Sequence, residues 1–205
     1  MTKNQNLLFS IVIALLLTTT SCKKEETQKK DEPTPVLQIN LASSPTFKAK
    51  VNGTELTWIG NLTSNMYSGT IESRSGDDLS LGSYISDLDE TKGFAFQIGE
   101  ILDFGGTLNE IKGLLSKKSY PFSMDAQNGV SISFQHTDGK TYNSSNSPNI
   151  SQVGTFEIID ISYSDDIYEI SGKVYARFNV TLYDENGNSI KLENGEYVGY
   201  FKVDV

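Results

Sequence analysis

Phe47-Lys48-Ala49-Lys50-Val51-Asn52-Gly53-Thr54-Glu55-Leu56-Thr57-Trp58 decides the fold. Asn-Gly is the preferred pair for a two-residue type I′ turn, because both central residues need positive φ. Closing the chain at Asn52-Gly53 sets Val51 opposite Thr54, Ala49 opposite Leu56 and Phe47 opposite Trp58. Those residues share one face. Lys50 with Glu55, and Lys48 with Thr57, share the other. An apolar face backed by a polar, charge-matched one belongs to a hairpin buried on one side. Trp58, the sole Trp, is therefore expected in a core rather than on a binding platform.

The same logic holds at the other end of the chain. Val174, Ala176, Phe178, Val180 and Leu182 alternate with Tyr175, Arg177, Asn179, Thr181 and Tyr183. A two-residue turn at Asn186-Gly187 would set Leu182 against Lys191 and break the parity. A three-residue loop restores it: a type I turn from Asp184, with Gly187 left-handed in a G1 bulge, faces Leu182 with Ile190 and Val180 with Leu192. Asn194-Gly195 then starts the return into Tyr197, Gly199, Phe201, Val203 and Val205. Further strands are expected over 66–73, 79–85, 94–101, 130–136 and 155–163. The adjacent Ile158 and Ile159 shift the apolar parity and predict a bulge. Asp138-Gly139 predicts another hairpin. Residues 108–118 differ: Leu108, Ile111, Leu114 and Leu115 have helical spacing, with Lys117 and Lys118 at the dipole-favoured end, so one short helix or crossover is expected there. The domain over 45–205 reads as an all-β antiparallel β-sandwich, with a closed β-barrel as the alternative.

Composition narrows the function classes. The chain has 205 residues, enough for one domain and a tail. Ten Phe and ten Tyr favour a packed core. The net charge is −9, and residues 45–205 hold 12 bases against 22 acids. Nucleic acid is not an expected partner, since phosphate neutralisation needs clustered cations. One Cys and one His exclude a disulfide framework, a zinc-finger layout and a Cys/His catalytic pair.

The N-terminus carries an address. Lys3 precedes an eleven-residue run, 7–17, that is apolar except for Ser10. As a helix it would rise about 16 Å, roughly half the hydrocarbon core, so it is a signal segment and not a membrane span. Thr19-Thr20-Ser21-Cys22 follows. This resembles the lipobox of bacterial lipoproteins, with Thr19 where Leu is usual. The resemblance implies a signal peptide over 1–21, cleavage between Ser21 and Cys22, and lipidation of Cys22. Lys23-Lys24-Glu25-Glu26 is similar to the surface-export signal of Bacteroidetes lipoproteins, and is also what a solvated tether would carry. Residues 22–44 read as that tether: the part from Lys23 on spans about 25 Å as a coil and ~75 Å extended. Within it, the alternation over 36–41 is compatible with an early edge strand.

The whole layout is similar to a group of small Bacteroidetes outer-membrane lipoproteins, in which Phe47-Lys48-Ala49-Lys50-Val51-Asn52-Gly53 matches the opening and Ile170-Ser171-Gly172 … Tyr197 the close of a β domain. That resemblance implies a lipid-anchored, surface-exposed outer-membrane protein, and carries over no functional residue beyond Cys22.

Chemistry beyond the anchor is sparse. There is no nucleophile elbow, phosphate loop or dinucleotide fingerprint. His136 stands alone at a strand end. Asp184-Glu185-Asn186-Gly187-Asn188 begins like a calcium loop but places Gly fourth and lacks the closing acid, so no metal and no cofactor is expected. The outward set Tyr175, Arg177, Asn179 and Tyr183, with Tyr200 on the last strand, is the candidate ligand face. Rings, amides and a guanidinium suit sugars. Binding of a glycan or an envelope protein partner is thus the first expectation, an accessory envelope subunit the second, and a carboxylate-based hydrolase the third. Replacing Cys22 by Ser is expected to leave the precursor uncleaved and to release the protein from envelope fractions. Protease added to intact cells is expected to digest the wild-type domain; survival until the envelope is opened would refute surface display.

Overall fold

In the computed structural model, residues 38–61, 63–124, 129–166 and 168–204 are described, and one compact unit begins at Gln38. The signal segment, Ser21, Cys22, the charged run after it and residues 36–37 lie outside the described residues.

The opening hairpin is β1 (Thr46–Val51) and β2 (Thr54–Ile59), with Phe47 opposite Trp58, Ala49 opposite Leu56 and Val51 opposite Thr54. Asn52 and Gly53 both have positive φ, as the turn requires. Trp58 is buried, stacked 4.8 Å from Phe47 and 5.6 Å from Phe134. Then follow β3 (Met66–Ser75), β4 (Asp78–Asp87), β5 (Gly93–Ile101), helix α1 (Leu108–Leu114), β6 (Val130–Gln135), β7 (Thr141–Asn143), β8 (Gly154–Asp165), β9 (Glu169–Tyr183) and β10 (Ser189–Asp204). The β9–β10 loop pairs Leu182 with Ile190 and Val180 with Leu192, with Gly187 at φ 81°. Asp184 braces it by accepting from the Asn186 and Asn188 amides at 3.0 and 2.7 Å.

The described strands form one antiparallel sheet ordered β2-β1-β10-β9-β7-β6-β5-β4-β3, with β8 added to β9. The sheet curls until its halves face each other, so the section is sandwich-like rather than a closed ladder. Between the halves lies an aromatic layer. Phe94 of β5 meets Phe47 of β1 at 4.9 Å and Phe178 of β9 at 4.7 Å, and Phe96 meets Phe156 of β8 at 5.0 Å. Each such pair adds about 0.5–1.5 kcal/mol beyond its area burial.

The curl is held where β1 stops. Its ladder with β10 begins at Thr46 opposite Val198, so from Tyr200 onward that edge of β10 is unpaired by β1. The β3–β4 hairpin satisfies it with side chains. Ser83 Oγ donates to the Tyr200 carbonyl at 2.6 Å, the Tyr200 amide donates to Ser68 Oγ at 3.1 Å, and Arg74 Nη2 donates to the Asp204 carbonyl at 2.8 Å. Ser83 has one proton and gives it to Tyr200, so the Tyr197 phenol, 2.7 Å away, is the donor of that pair. Tyr197 is fully buried, and burial pushes its phenol far above its ordinary range.

Three expectations are modified. The helix ends at Leu114, with Thr107 and Glu110 forming a capping box at its start. The Tyr120 phenol sits 2.9 Å from the Leu114 and Ser116 carbonyls and accepts from the Ser116 amide at 2.8 Å. It serves the last turn in place of further helix. Lys117 and Lys118 therefore fall beyond the helix; Lys117 pairs with Asp160 at 2.5 Å. Asn194-Gly195 does not turn the chain, because β10 runs through it as a bulged strand of 16 residues. Residues 38–40 form no strand, yet Ile39 is buried. The expected bulge in β8 is present: Ile158 faces Ala176, while Asp160, not Ile159, faces Tyr175.

Gly199 lies under the Tyr197 phenol, where an added Cβ would come within 1.9 Å of the hydroxyl and 2.6 Å of Ser83 Oγ. Gly199→Ala is expected to cost about 2–4 kcal/mol in urea unfolding, whereas Tyr197→Phe, which removes the hydrogen bond to Ser83 and the longer one to Ser68 at 3.5 Å, should cost about 1 kcal/mol. Equal losses would show that the phenol does not set the spacing.

Candidate functional site

Two loops and three tyrosines build a cleft on the outer surface where β3 meets β10. The β3–β4 turn at Gly76 fixes the register that places Gly69 opposite Tyr84. Gly69 has no side chain, and Tyr84 occupies the space: a Cβ there would stand 2.6 Å from the Tyr84 hydroxyl. Tyr67, two residues earlier on the same face, meets the Tyr84 ring edge-on at 5.6 Å and 88°. Its hydroxyl reaches Glu90 Oε1 at 3.4 Å. Burial, then Tyr84 and Glu90, push the Tyr67 phenol up, so it stays a neutral donor.

Tyr200 continues the line on β10. It is 46% exposed, and Lys173 Nζ lies over its ring at 5.3 Å. Two cavities adjoin at Tyr67. One, about 570 Å³, is lined by Pro45, Asn61, Asn65, Leu88 and Tyr200; the other, about 220 Å³, by Tyr84, Glu90, Ser133 and Gln135. Rings therefore form the floor, with amides and hydroxyls at the edges.

The walls are short loops fixed by their own side chains. Asn61 Oδ1 accepts from the Thr63 and Ser64 amides at 2.9 and 2.8 Å, an Asx turn that shapes the β2–β3 loop. Asp87 does the same for the β4–β5 loop, accepting from the Thr91 amide at 2.7 Å, the Thr91 hydroxyl at 2.6 Å and the Lys92 amide at 3.1 Å. The Leu88 amide donates to the Asn65 carbonyl at 3.2 Å and ties the two loops together. Leu88, 66% exposed, is thereby held over the larger cavity.

The residues expected from the sequence are split. Tyr175 is covered, not solvent-facing: it is 4% exposed and packs with Ile39, Val198, Leu41 and Ile159. The segment after Gln38 is a strap laid over the outer face of β9 and β10, fastened where Lys173 Nζ donates to the Ser43 carbonyl. The bulge in β8 turns Ile159 outward to meet it. Burial pushes the Lys173 ammonium down. Arg177 and Asn179 are exposed and share a separate dent near Asn194. Tyr183 lies at the far end of β9, paired with Asn143, and lines neither cavity. Of the outward aromatics expected from the sequence, Tyr200 alone joins the cleft.

Tyr67 and Tyr84 were missed, although a signal existed. A Gly inside an alternating strand, opposite a Tyr across a tight turn, marks a ring lying on bare backbone. His136 Nδ1 is 3.5 Å from Asp138 Oδ1 at a turn. The Asp184 carboxylate is filled by backbone and Asn188 donors, and no group of three or more potential metal ligands occurs among the described residues.

Burial opposes ionisation of Asp87, but the Thr91 hydroxyl and the Lys92 and Thr91 amides outweigh it and hold the carboxyl below its ordinary value of 3.8. The loop's extra stability is then complete above that ordinary value and lost as pH falls through the lower folded one. The protection factors of the Thr91 and Lys92 amides, that is their exchange rates relative to an unstructured peptide at the same pH, should fall on acidification from about pH 5 toward 2. Asp87→Asn should remove that dependence; unchanged protection factors in the native protein would refute the brace. No protein-family model, curated protein or solved structure matches this chain.

Proposed function

We propose that this chain is a surface-anchored outer-membrane lipoprotein, held by lipid on Cys22, whose β domain is a glycan-binding module. The anchor rests on Thr19-Thr20-Ser21-Cys22; the single observation that supports glycan binding is the run Tyr84–Tyr67–Tyr200 with its amide and hydroxyl edges. Sugar rings have apolar C–H faces and polar rims. A ligand with both needs flat aromatic floors and donors and acceptors at their edges. The loops are braced before any ligand arrives, so little ordering entropy opposes binding.

Competing readings have less to work with. Carboxylate-pair hydrolysis in this cleft would need two acids flanking the bond, and Glu90 is the one carboxylate among the described residues that line it. One edge at which an accessory subunit could add a strand is that of β2, which pairs only with β1 among the described strands. That edge is six residues long and carries exposed Glu55, features that discourage strand addition.

The test is affinity electrophoresis of the mature chain through gels containing neutral polysaccharides such as glucans, mannans and galactans. At least one should retard it. Tyr67→Ala and Tyr84→Ala should each weaken that retardation roughly 3- to 10-fold, the worth of one ring contact. If none retards it, or if both variants migrate like the native protein, the glycan reading fails.

A further inference from the structure

The bulge in β10 makes a second recess, independent of the cleft. β10 shifts register against both neighbours at one place: between Lys48 and Lys50 on β1, and between Leu192 and Gly195 against β9. One extra residue is thus unmatched on both sides, and both ladders part there. Asn194 takes φ 50°, and its amide donates to Asn179 Oδ1 at 2.7 Å. Gly195 has no room for a side chain, since a Cβ would lie 2.1 Å from the Phe178 ring. The outcome is a dent of about 420 Å³ that opens over the buried Ala49, Gly195 and Phe178.

Its rim is unusual for so acidic a domain. Three of the 12 bases over 45–205, Lys48, Lys50 and Arg177, converge on it. Among the described residues, neither Lys48 nor Lys50 forms an ion pair. Arg177 is preorganised from below: its Nε donates to the Tyr175 hydroxyl at 2.8 Å and lies 3.4 Å from Glu196 Oε1, which accepts from the same hydroxyl at 2.6 Å. That arrangement engages Nε alone, with the guanidinium over the Tyr175 ring at 5.4 Å, and the two terminal nitrogens have no hydrogen-bond partner among the described residues. Glu196 and Glu55 are the carboxylates of the rim, so the dent carries one net positive charge.

We propose that this dent binds the carboxylate of an acidic sugar. The guanidinium fork matches a carboxylate's two oxygens, and the lysines add charge without demanding geometry. Asn179, Asn194 and Glu55 suit hydroxyls. A compact phosphate would use the cations, but unlike a sugar it brings no ring hydroxyls to donate to the Glu55 carboxylate.

The test titrates the mature chain with sodium glucuronate and galacturonate, following the Asn194 and Gly195 amides by NMR. Glucose, galactose and inorganic phosphate serve as comparisons. Uronates should shift those amides, the neutral sugars should not, and phosphate should do so only at much higher concentration. Lys50→Gln, a partly exposed surface change, should weaken uronate binding roughly tenfold. Arg177→Gln should do the same, with thermal unfolding checking that the fold persists. Tyr84→Ala should leave uronate binding intact, which separates this site from the cleft. The proposal is overturned if uronates shift nothing, if phosphate matches them, if Lys50→Gln binds as the native protein does, or if Tyr84→Ala abolishes the shifts.

Discussion

The Tyr200 peptide is gripped on both sides by serines of the opposite hairpin, and the rest of the molecule depends on that grip. The Ser83 hydroxyl holds its carbonyl and the Ser68 hydroxyl takes its amide proton. β1 ends before this point, so β10 would otherwise present bare backbone at the edge of a buried core, at a cost of about 1–3 kcal/mol per unmet group. Using side chains instead of a ladder lets the sheet curl without closing. The two halves then come close enough for Phe47, Phe94 and Phe178 to pack ring on ring. Tyr197 and Gly199 set the spacing: the phenol fills the volume that the glycine leaves.

The same strand organises the outer surface. Glu196, Val198 and Tyr200 point outward in turn, spaced about 7 Å apart. Glu196 edges the dent, Val198 lies beneath the strap, and Tyr200 edges the cleft. The strap is therefore a divider as well as a cover. It buries Tyr175, and through Tyr175 it fixes Arg177 in the dent. At its other end Ser44 and Pro45 form part of the cleft wall. A segment whose composition resembles a linker thus shapes both recesses, because Ile39 and Leu41 find an apolar patch on the outer face.

Much of this was legible before any coordinates. The pairing of Phe47 with Trp58 and of Leu182 with Ile190 followed from Asn-Gly and Asp-x-x-Gly turn chemistry combined with period-two parity. Adjacent Ile158 and Ile159 announced their bulge. The cleft was half legible: Tyr200 had the right parity, while Tyr67 and Tyr84 required the register across Gly76. Asn194-Gly195 misled because a residue at positive φ, here Asn194, serves a bulge as well as a reversing turn. Tyr175 misled because parity says which way a side chain points but not what lies over it.

Local chemistry alone dictated the hairpins, their registers and which residues face inward, since turn geometry and the pleat act between residues close along the chain. Tertiary structure decided that Asn194-Gly195 stays within a strand, because β1 and β9 already flank β10 and leave the chain no way to reverse. It also decided which outward residues are free. Cover comes from segments more than a hundred residues away, as Ile39 over Tyr175 shows, and no local pattern encodes that meeting.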